Sequence, residues 1–386
     1  MATGCSPSFE EIALTDSVTA WTAAVEGVGA WWAGAVRRGA TPPELMLDCV
    51  RWWGEIADRG RPGWSSPHEI VFETPVARLR DFSTSSRRSK VVPTLVLPPQ
   101  AGHDSCIVDY SATQSQMRTI LDAGLTRAFT LDWLGATDTT KNAGIEDYLD
   151  VVDRAFDHLG GTANLIGDCQ GGWLATIYAA LRPERVNTLT IAGAPIDFHC
   201  GEPVIHAALR LLAPNGNLDF YRGLVDAGGG TLSGRHMLAG FILIQPDNEI
   251  GRQLALLANL DDVSHVERYR EFEDWFKHTQ DIPGAFYLWI VEHLFRDNEL
   301  IAGTLEVSGE RVDLRRIDCP LNLLAGATDH ITPPAQVFAL ADHAGTAETD
   351  ILRDTSPGGH LGLFMGRESL RDHWPRLLAA VQARSR

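Results

Sequence analysis

The chain has no surplus of positive charge: 33 Lys and Arg stand against 50 Asp and Glu, a formal net charge of −17 over 386 residues. Nucleic acid and anionic lipid both call for a basic face, so neither is expected as a partner, and solubility accounts for the charge. Cysteine patterning is missing too. The six cysteines, Cys5, Cys49, Cys106, Cys169, Cys200 and Cys319, form no CxxC pair and no Cys/His cluster at metal-ligand spacing. No metal site is expected, and free thiols in a reducing cytoplasm are the default. No apolar run approaches the ~20 residues of a membrane span. The opening MATGCSPSFEEIAL has neither the basic start nor the apolar run of a secretory signal. There is no P-loop and no HExxH, and the glycines of GVGAWWAG, residues 27–34, follow no strand, which argues against a dinucleotide fingerprint. No cofactor is therefore expected. GxSxG is also absent, so no serine elbow competes with the feature described below.

What is present suits a soluble globular protein: 44% hydrophobic and 22% charged residues, enough for a sizeable core. The eleven tryptophans fit core packing, with the lining of an apolar substrate channel as the alternative. Helical periodicity runs from about Phe9 to Asp58, and the pair Pro42-Pro43 divides it and starts the second helix. GRPGWSSP, residues 60–67, is a linker. EIVFETPVARLRDFS then alternates like edge strands, and VVPTLVLPP is a short buried strand ended by prolines. From there strands (RAFTLDW, ANLIGD, VNTLTIAGAP) alternate with amphipathic helices (GIEDYLDVVDRAFDHLGG, GGWLATIYAALRPE). Such alternation implies an α/β protein with a mostly parallel central sheet covered by helices on both faces. Residues 197–298 break the rhythm with Trp, Phe, Leu and Gly in helices and loops, as an inserted helical cap would. GGGTLSG, residues 228–234, is a flexible loop within it. Strands return with PLNLLAGATD and TDILRDTS, and RESLRDHWPRLLAAVQAR closes the chain as a helix. The expected layout is an N-terminal helical segment over 1–66, a core over 67–196, the cap over 197–298 and the rest of the core over 299–386.

Gly167-Asp168-Cys169-Gln170-Gly171 lies between an apolar strand and an apolar helix. That is the strand–turn–helix setting of a nucleophile elbow, written G-x-C-x-G, and it predicts the α/β-hydrolase fold. A nucleophile at a strained bend leaves no room for neighbouring side chains, hence the glycines. The turn also aims a helix N-terminus at Cys169, which favours negative charge there. The Gln170 N–H becomes the first oxyanion donor. In this fold the order along the chain is nucleophile, acid, histidine. Asp329, after the strand LNLLAG, is the candidate acid, and His360, in SPGGHLGLF, the candidate base. His330 is a rival beside Asp329, and Asp318, Asp350 and Asp354 are rival acids with a surface reading. A second oxyanion donor is expected from the loop after TLVLPP, at Gln100 or Ala101. His103, Trp173, Phe286 and Trp289 are candidate substrate-lining side chains.

The elbow GDCQGGWLATIYAALRPERV, the run GAPIDFH and the stretch from Asn298 to Pro334 resemble the polyhydroxyalkanoate synthases, especially the short synthases that work with a second subunit. PPQAGHDS, GAFYLWIVEHLF and GGHLGLFMGR resemble the related intracellular polyhydroxyalkanoate depolymerases, with Ala101 where those have a serine. The resemblance runs from about Ile70 to the end, and the N-terminal helices match neither group. It implies a Cys–Asp–His triad at Cys169, Asp329 and His360, acting on 3-hydroxyacyl thioesters or esters. It further implies an acyl-CoA or polyester substrate, a second copy or a second synthase subunit as partner, and a cytoplasmic place at polyester granules. CoA enters as substrate only. Polymerisation from 3-hydroxyacyl-CoA is the first expectation, because the elbow carries the most distinctive match. Hydrolysis by a depolymerase or thioesterase is the second, and transfer from another acyl carrier the third. A relative that binds a ligand without turnover is the reading outside enzymes.

Overall fold

The computed structural model describes residues 9–85, 89–201 and 204–385, with side chains from residue 19 onward. The chain divides into two compact units, one of Met1–Pro62 with Arg235–Thr279, the other of Gly63–Gly234 with Gln280–Arg386. Cys5 lies outside the described residues, and the other five cysteines are free thiols. No described helix is long and apolar enough to cross a membrane.

The smaller unit is helical. Helix Phe9–Arg38 ends at Gly39, which takes a positive φ. Helix Pro42–Ala57 begins on proline, where the missing N–H is no loss. Glu44 reaches back to accept from the Thr41 N–H at 2.7 Å, which closes a capping box. Leu256, Leu257, Leu260 and Tyr269 form the unit's core, with Trp31, Trp52, Ile56, Leu254 and Val266 packed against it. Gly27 lets helix Phe9–Arg38 lie against helix Pro246–Ala258, since a Cβ there would sit 2.4 Å from that of Leu254.

The larger unit is built on one sheet of eight strands: β1 (Glu69–Glu73), β2 (Ala77–Asp81), β3 (Thr94–Leu97), β4 (Ala128–Trp133), β5 (Ala163–Asp168), β6 (Val186–Ala192), β7 (Leu321–Gly326) and β8 (Ile351–Ser356). Their order is β1-β2-β4-β3-β5-β6-β7-β8. β2 pairs antiparallel with both neighbours, and every pairing from β4 to β8 is parallel. β3, β4, β5 and β7 are buried along their whole length, as strands covered on both faces must be. This strand order, with a sharp strand-to-helix turn after β5, is the α/β-hydrolase fold expected from the sequence. Parallel strands end on one edge, so the segments that follow β3, β5, β7 and β8 share that edge.

GGGTLSG is not a free loop. Thr231 and Leu232 pair antiparallel with Ile282 and Pro283. The glycines that suggest flexibility permit close backbone packing instead: a Cβ on Gly228 would lie 2.0 Å from the Thr231 carbonyl oxygen, and one on Gly284 would lie 2.3 Å from that of Gly230.

Candidate active site

β5 ends on Asp168 and helix Gln170–Leu181 starts two residues later, so Cys169 carries the whole change of direction. It does so with φ 50° and ψ −117°, a conformation a side chain disfavours. Two backbone hydrogen bonds hold it there: the Cys169 N–H donates to the Ala192 carbonyl at 2.9 Å, and its own carbonyl accepts from the Gly172 N–H at 2.9 Å. Glycine is required all round the turn. A Cβ at Gly167 would lie 2.5 Å from the Gly171 carbonyl oxygen, one at Gly171 would lie 1.9 Å from that of Leu97, and one at Gly172 would lie 2.3 Å from the Ala194 Cβ. The Gly171 contact presses the start of the helix onto the end of β3. Gly171 thus lies against Leu97 and Pro98, the residues that lead into the Gln100–His103 loop.

That loop is fixed from several sides. Trp133 Nε1 donates to the Pro98 carbonyl at 2.8 Å, Gln100 Nε2 donates to the Tyr148 hydroxyl at 3.0 Å, and the Gln280 N–H donates to the Gly102 carbonyl at 2.8 Å. Gln100, Ala101 and His103 are all buried. Tyr148 stacks on Phe286 with ring centroids 4.0 Å apart, and Trp173 lies between Phe286 (6.0 Å) and Trp289 (6.2 Å). Trp173 and Phe286 are each 1% exposed, so they pack inside the fold and show almost no surface to a ligand, while Trp289 is half-buried.

The structure brings Cys169, Asp329 and His360 together. His360 Nδ1 is 2.7 Å from Asp329 Oδ2, and the Cys169 side chain lies near enough for its charge to act on the ring. Asp329 follows the end of β7, its side chain wholly buried. Its Oδ1 accepts from the N–H groups of Ile331 (2.9 Å) and Thr332 (2.8 Å), which fixes the carboxylate and leaves Oδ2 for the imidazole. His360 follows β8, on a loop that comes close because Gly326 has no side chain: a Cβ there would lie 2.7 Å from the Gly358 carbonyl oxygen. Burial by itself lowers the His360 pKa. The charge of Asp329, then that of Cys169, and the hydrogen bond to Asp329 outweigh it and hold the imidazole well above its ordinary value.

The rivals lie elsewhere. His330 and Asp318 are exposed, Asp350 pairs with Arg384 at 2.5 Å, and Asp354 pairs with His373 at 3.2 Å. Two further residues of this site were not assigned from the sequence. Asp168, with no solvent exposure, has its carboxyl pushed up to about 8, chiefly by burial. Gln116, equally buried, donates from Nε2 to Asp168 Oδ1 at 3.2 Å. Asp168 stands in the motif itself, but nothing in the sequence points to Gln116. Among the described residues no group of three or more His, Cys, Asp and Glu is placed to hold a metal ion.

Comparison with known proteins agrees with the resemblance read from the sequence. The chain is 27% identical over 319 residues to the poly(3-hydroxyalkanoate) polymerase subunit PhaC of Haloferax mediterranei, a match that covers 80% of this chain and 62% of that protein. It is 28% identical over 337 residues to the PhaC subunit of Haloarcula marismortui, covering 83% of this chain and 68% of that protein. The chain thus spans about three fifths of the length of the Haloferax relative. Among solved structures, it matches a carboxylesterase of Nitrososphaera gargenis with a TM-score of 0.48 and 16% identity, over 82% of this chain and 99% of that one. A family model matches residues 75–376, which takes in strands β2 to β8 of the sheet, the elbow and all three clustered side chains. The chain belongs to the family described as Protein of unknown function (DUF3141).

Proposed function

We propose that this protein is a cysteine-dependent acyltransferase, acting on 3-hydroxyacyl thioesters through a covalent acyl-enzyme in the manner of a polyhydroxyalkanoate synthase. The observation that carries the reading is the position of His360, bonded to Asp329 through Nδ1 and close enough to the strained elbow cysteine to feel its charge. In this reading Cys169 Sγ attacks the thioester carbonyl while His360 takes its proton. The oxyanion meets the Gln170 N–H and a second N–H from Gln100 or Ala101. The CoA sulfur leaves and receives the proton from His360, and the acyl group stays on Cys169. His360 then deprotonates the hydroxyl of a second 3-hydroxyacyl unit, which attacks the acyl-enzyme, forms the ester and frees the thiol. The polymerase names of the relatives support the substrate class and this direction.

The test is CoA release from 3-hydroxybutyryl-CoA, read with a thiol dye. Release with turbidity is the expected result. Release with free 3-hydroxybutyrate identifies a thioesterase, and no CoA release but liberation of hydroxy acid from amorphous polyester identifies a depolymerase. Cys169→Ala should abolish whichever activity responds, and full activity in that variant would remove Cys169 from the mechanism.

A further inference from the structure

Asp168 fills the variable position just before the nucleophile and has no contact with solvent. Its side chain meets Gln116, the first residue of helix Gln116–Asp122. Gln116 Nε2 donates to Asp168 Oδ1, yet Asp168 Oδ2 and Gln116 Oε1 are both buried with no partner among the described residues. An ionised carboxylate has only acceptors, so it offers the amide oxygen nothing. Turning the amide over does not help, because Oε1 lacks a donor in either orientation. A carboxylic acid removes the conflict: its O–H donates to the amide oxygen and its carbonyl accepts the amide N–H.

We propose that Asp168 is a neutral carboxylic acid hydrogen-bonded in both directions to Gln116, and that this pair positions the elbow carrying Cys169. Burial acts in the same direction, pushing the Asp168 carboxyl up to about 8, while the Gln116 hydrogen bond and the charge of His360 offset it only in part. His360 is the titratable group whose charge acts on Asp168, and Cys169 is the neighbour of Asp168 along the chain. A proton on Asp168 keeps a second anion away from the sulfur and the oxyanion that forms beside it. Ionisation would add that charge and break the pair. The idea rests on Cys169 being the reactive thiol, but not on any substrate.

The sign of the pH effect follows. An unfolded Asp loses its proton near pH 3.9, whereas the folded one keeps it to about 8. The fold therefore holds an extra proton between those values, and stability falls as pH rises through them. The experiment compares wild type with Asp168→Asn and Asp168→Ala. An infrared difference spectrum, wild type minus Asp168→Asn at neutral pH, should show a protonated carboxyl C=O band, and carboxylate bands alone would overturn the proposal. Asn supplies the same donor and acceptor without titrating, so its melting temperature should gain several degrees on wild type between about pH 5 and pH 8; parallel curves overturn it. Iodoacetamide labelling of Cys169 at neutral pH should be near wild type in the Asn variant and altered in the Ala variant. Equal labelling in all three proteins refutes the positioning role. These readings need no substrate, so they stand apart from the Cys169→Ala activity test.

Discussion

Cys169 is held in a backbone region that costs a non-glycine residue about 1–3 kcal/mol, and its neighbours give it no way out. This part of the site is legible in the sequence, because the demand for glycine at positions 167 and 171 is local to the turn. The Asp168–Gln116 contact is not, since it joins segments 52 residues apart and a glutamine at a helix start has many ordinary reasons to be there. The acid and base are legible as types at strand ends, but only the fold supplies the 2.7 Å between them. Their electrostatics give a prediction. In Asp329→Asn the amide oxygen can still accept from the Ile331 and Thr332 N–H groups, but the charge that offsets burial of His360 is gone. The imidazole should then titrate at lower pH than in wild type, as followed by its NMR resonances. Turnover should fall by roughly 10⁴, the scale of the same Asp-to-Asn change in a Ser-His-Asp triad. An unchanged titration would mean that Asp329 does not set the charge of His360. Stability carries the same signature. A raised histidine stabilises fully below about pH 6.5, and that contribution is lost as pH rises through its folded value. His360→Asn should therefore show a flatter decline of melting temperature above about pH 6.5 than wild type.

At the level of elements, the strands are readable because each is a short apolar run closed by glycine, proline or an acid. Their order in the sheet is not readable from periodicity and follows only once the elbow identifies the fold. The pairing of Thr231 and Leu232 with Ile282 and Pro283 escapes the sequence because glycine can signal either a loose chain or a tight approach. Tryptophan is similarly ambiguous: Trp133, Trp173 and Trp374 are fully buried, whereas Trp21, Trp32 and Trp53 are exposed on the N-terminal helices, outside the stretch that resembles the synthases and depolymerases. Helix Phe9–Arg38 offers a paired test of what its glycines do. Gly27→Ala would push a Cβ to 2.4 Å from that of Leu254, and overpacking of this kind costs about 1–3 kcal/mol. A methyl at Gly29 would meet nothing within 4 Å, so Gly29→Ala should stabilise by about 0.5–1 kcal/mol through helix propensity alone. Urea denaturation monitored by helical circular dichroism reads both. Equal effects from the two substitutions would show that helices Phe9–Arg38 and Pro246–Ala258 do not pack as described.

For the molecule as a whole, the partition into units is the least legible feature. The N-terminal helices and Arg235–Thr279 form one unit although the sequence separates them widely. A helical stripe says that a face is covered, not which segment covers it. Net charge is the opposite case, fully legible and with a kinetic consequence. A protein at −17 repels a polyanion such as an acyl-CoA at low ionic strength, unless a local basic patch redirects it. Salt shortens the reach of that field to about 8 Å at physiological strength. If the proposed thioester is the substrate, kcat/KM for 3-hydroxybutyryl-CoA should rise several-fold between about 20 and 200 mM salt as the repulsion is screened. An uncharged polyester has no such barrier, and its hydrolysis should be nearly flat over the same range. A fall in kcat/KM with salt would mean that the charge around the entrance, not the net charge, governs the approach of CoA.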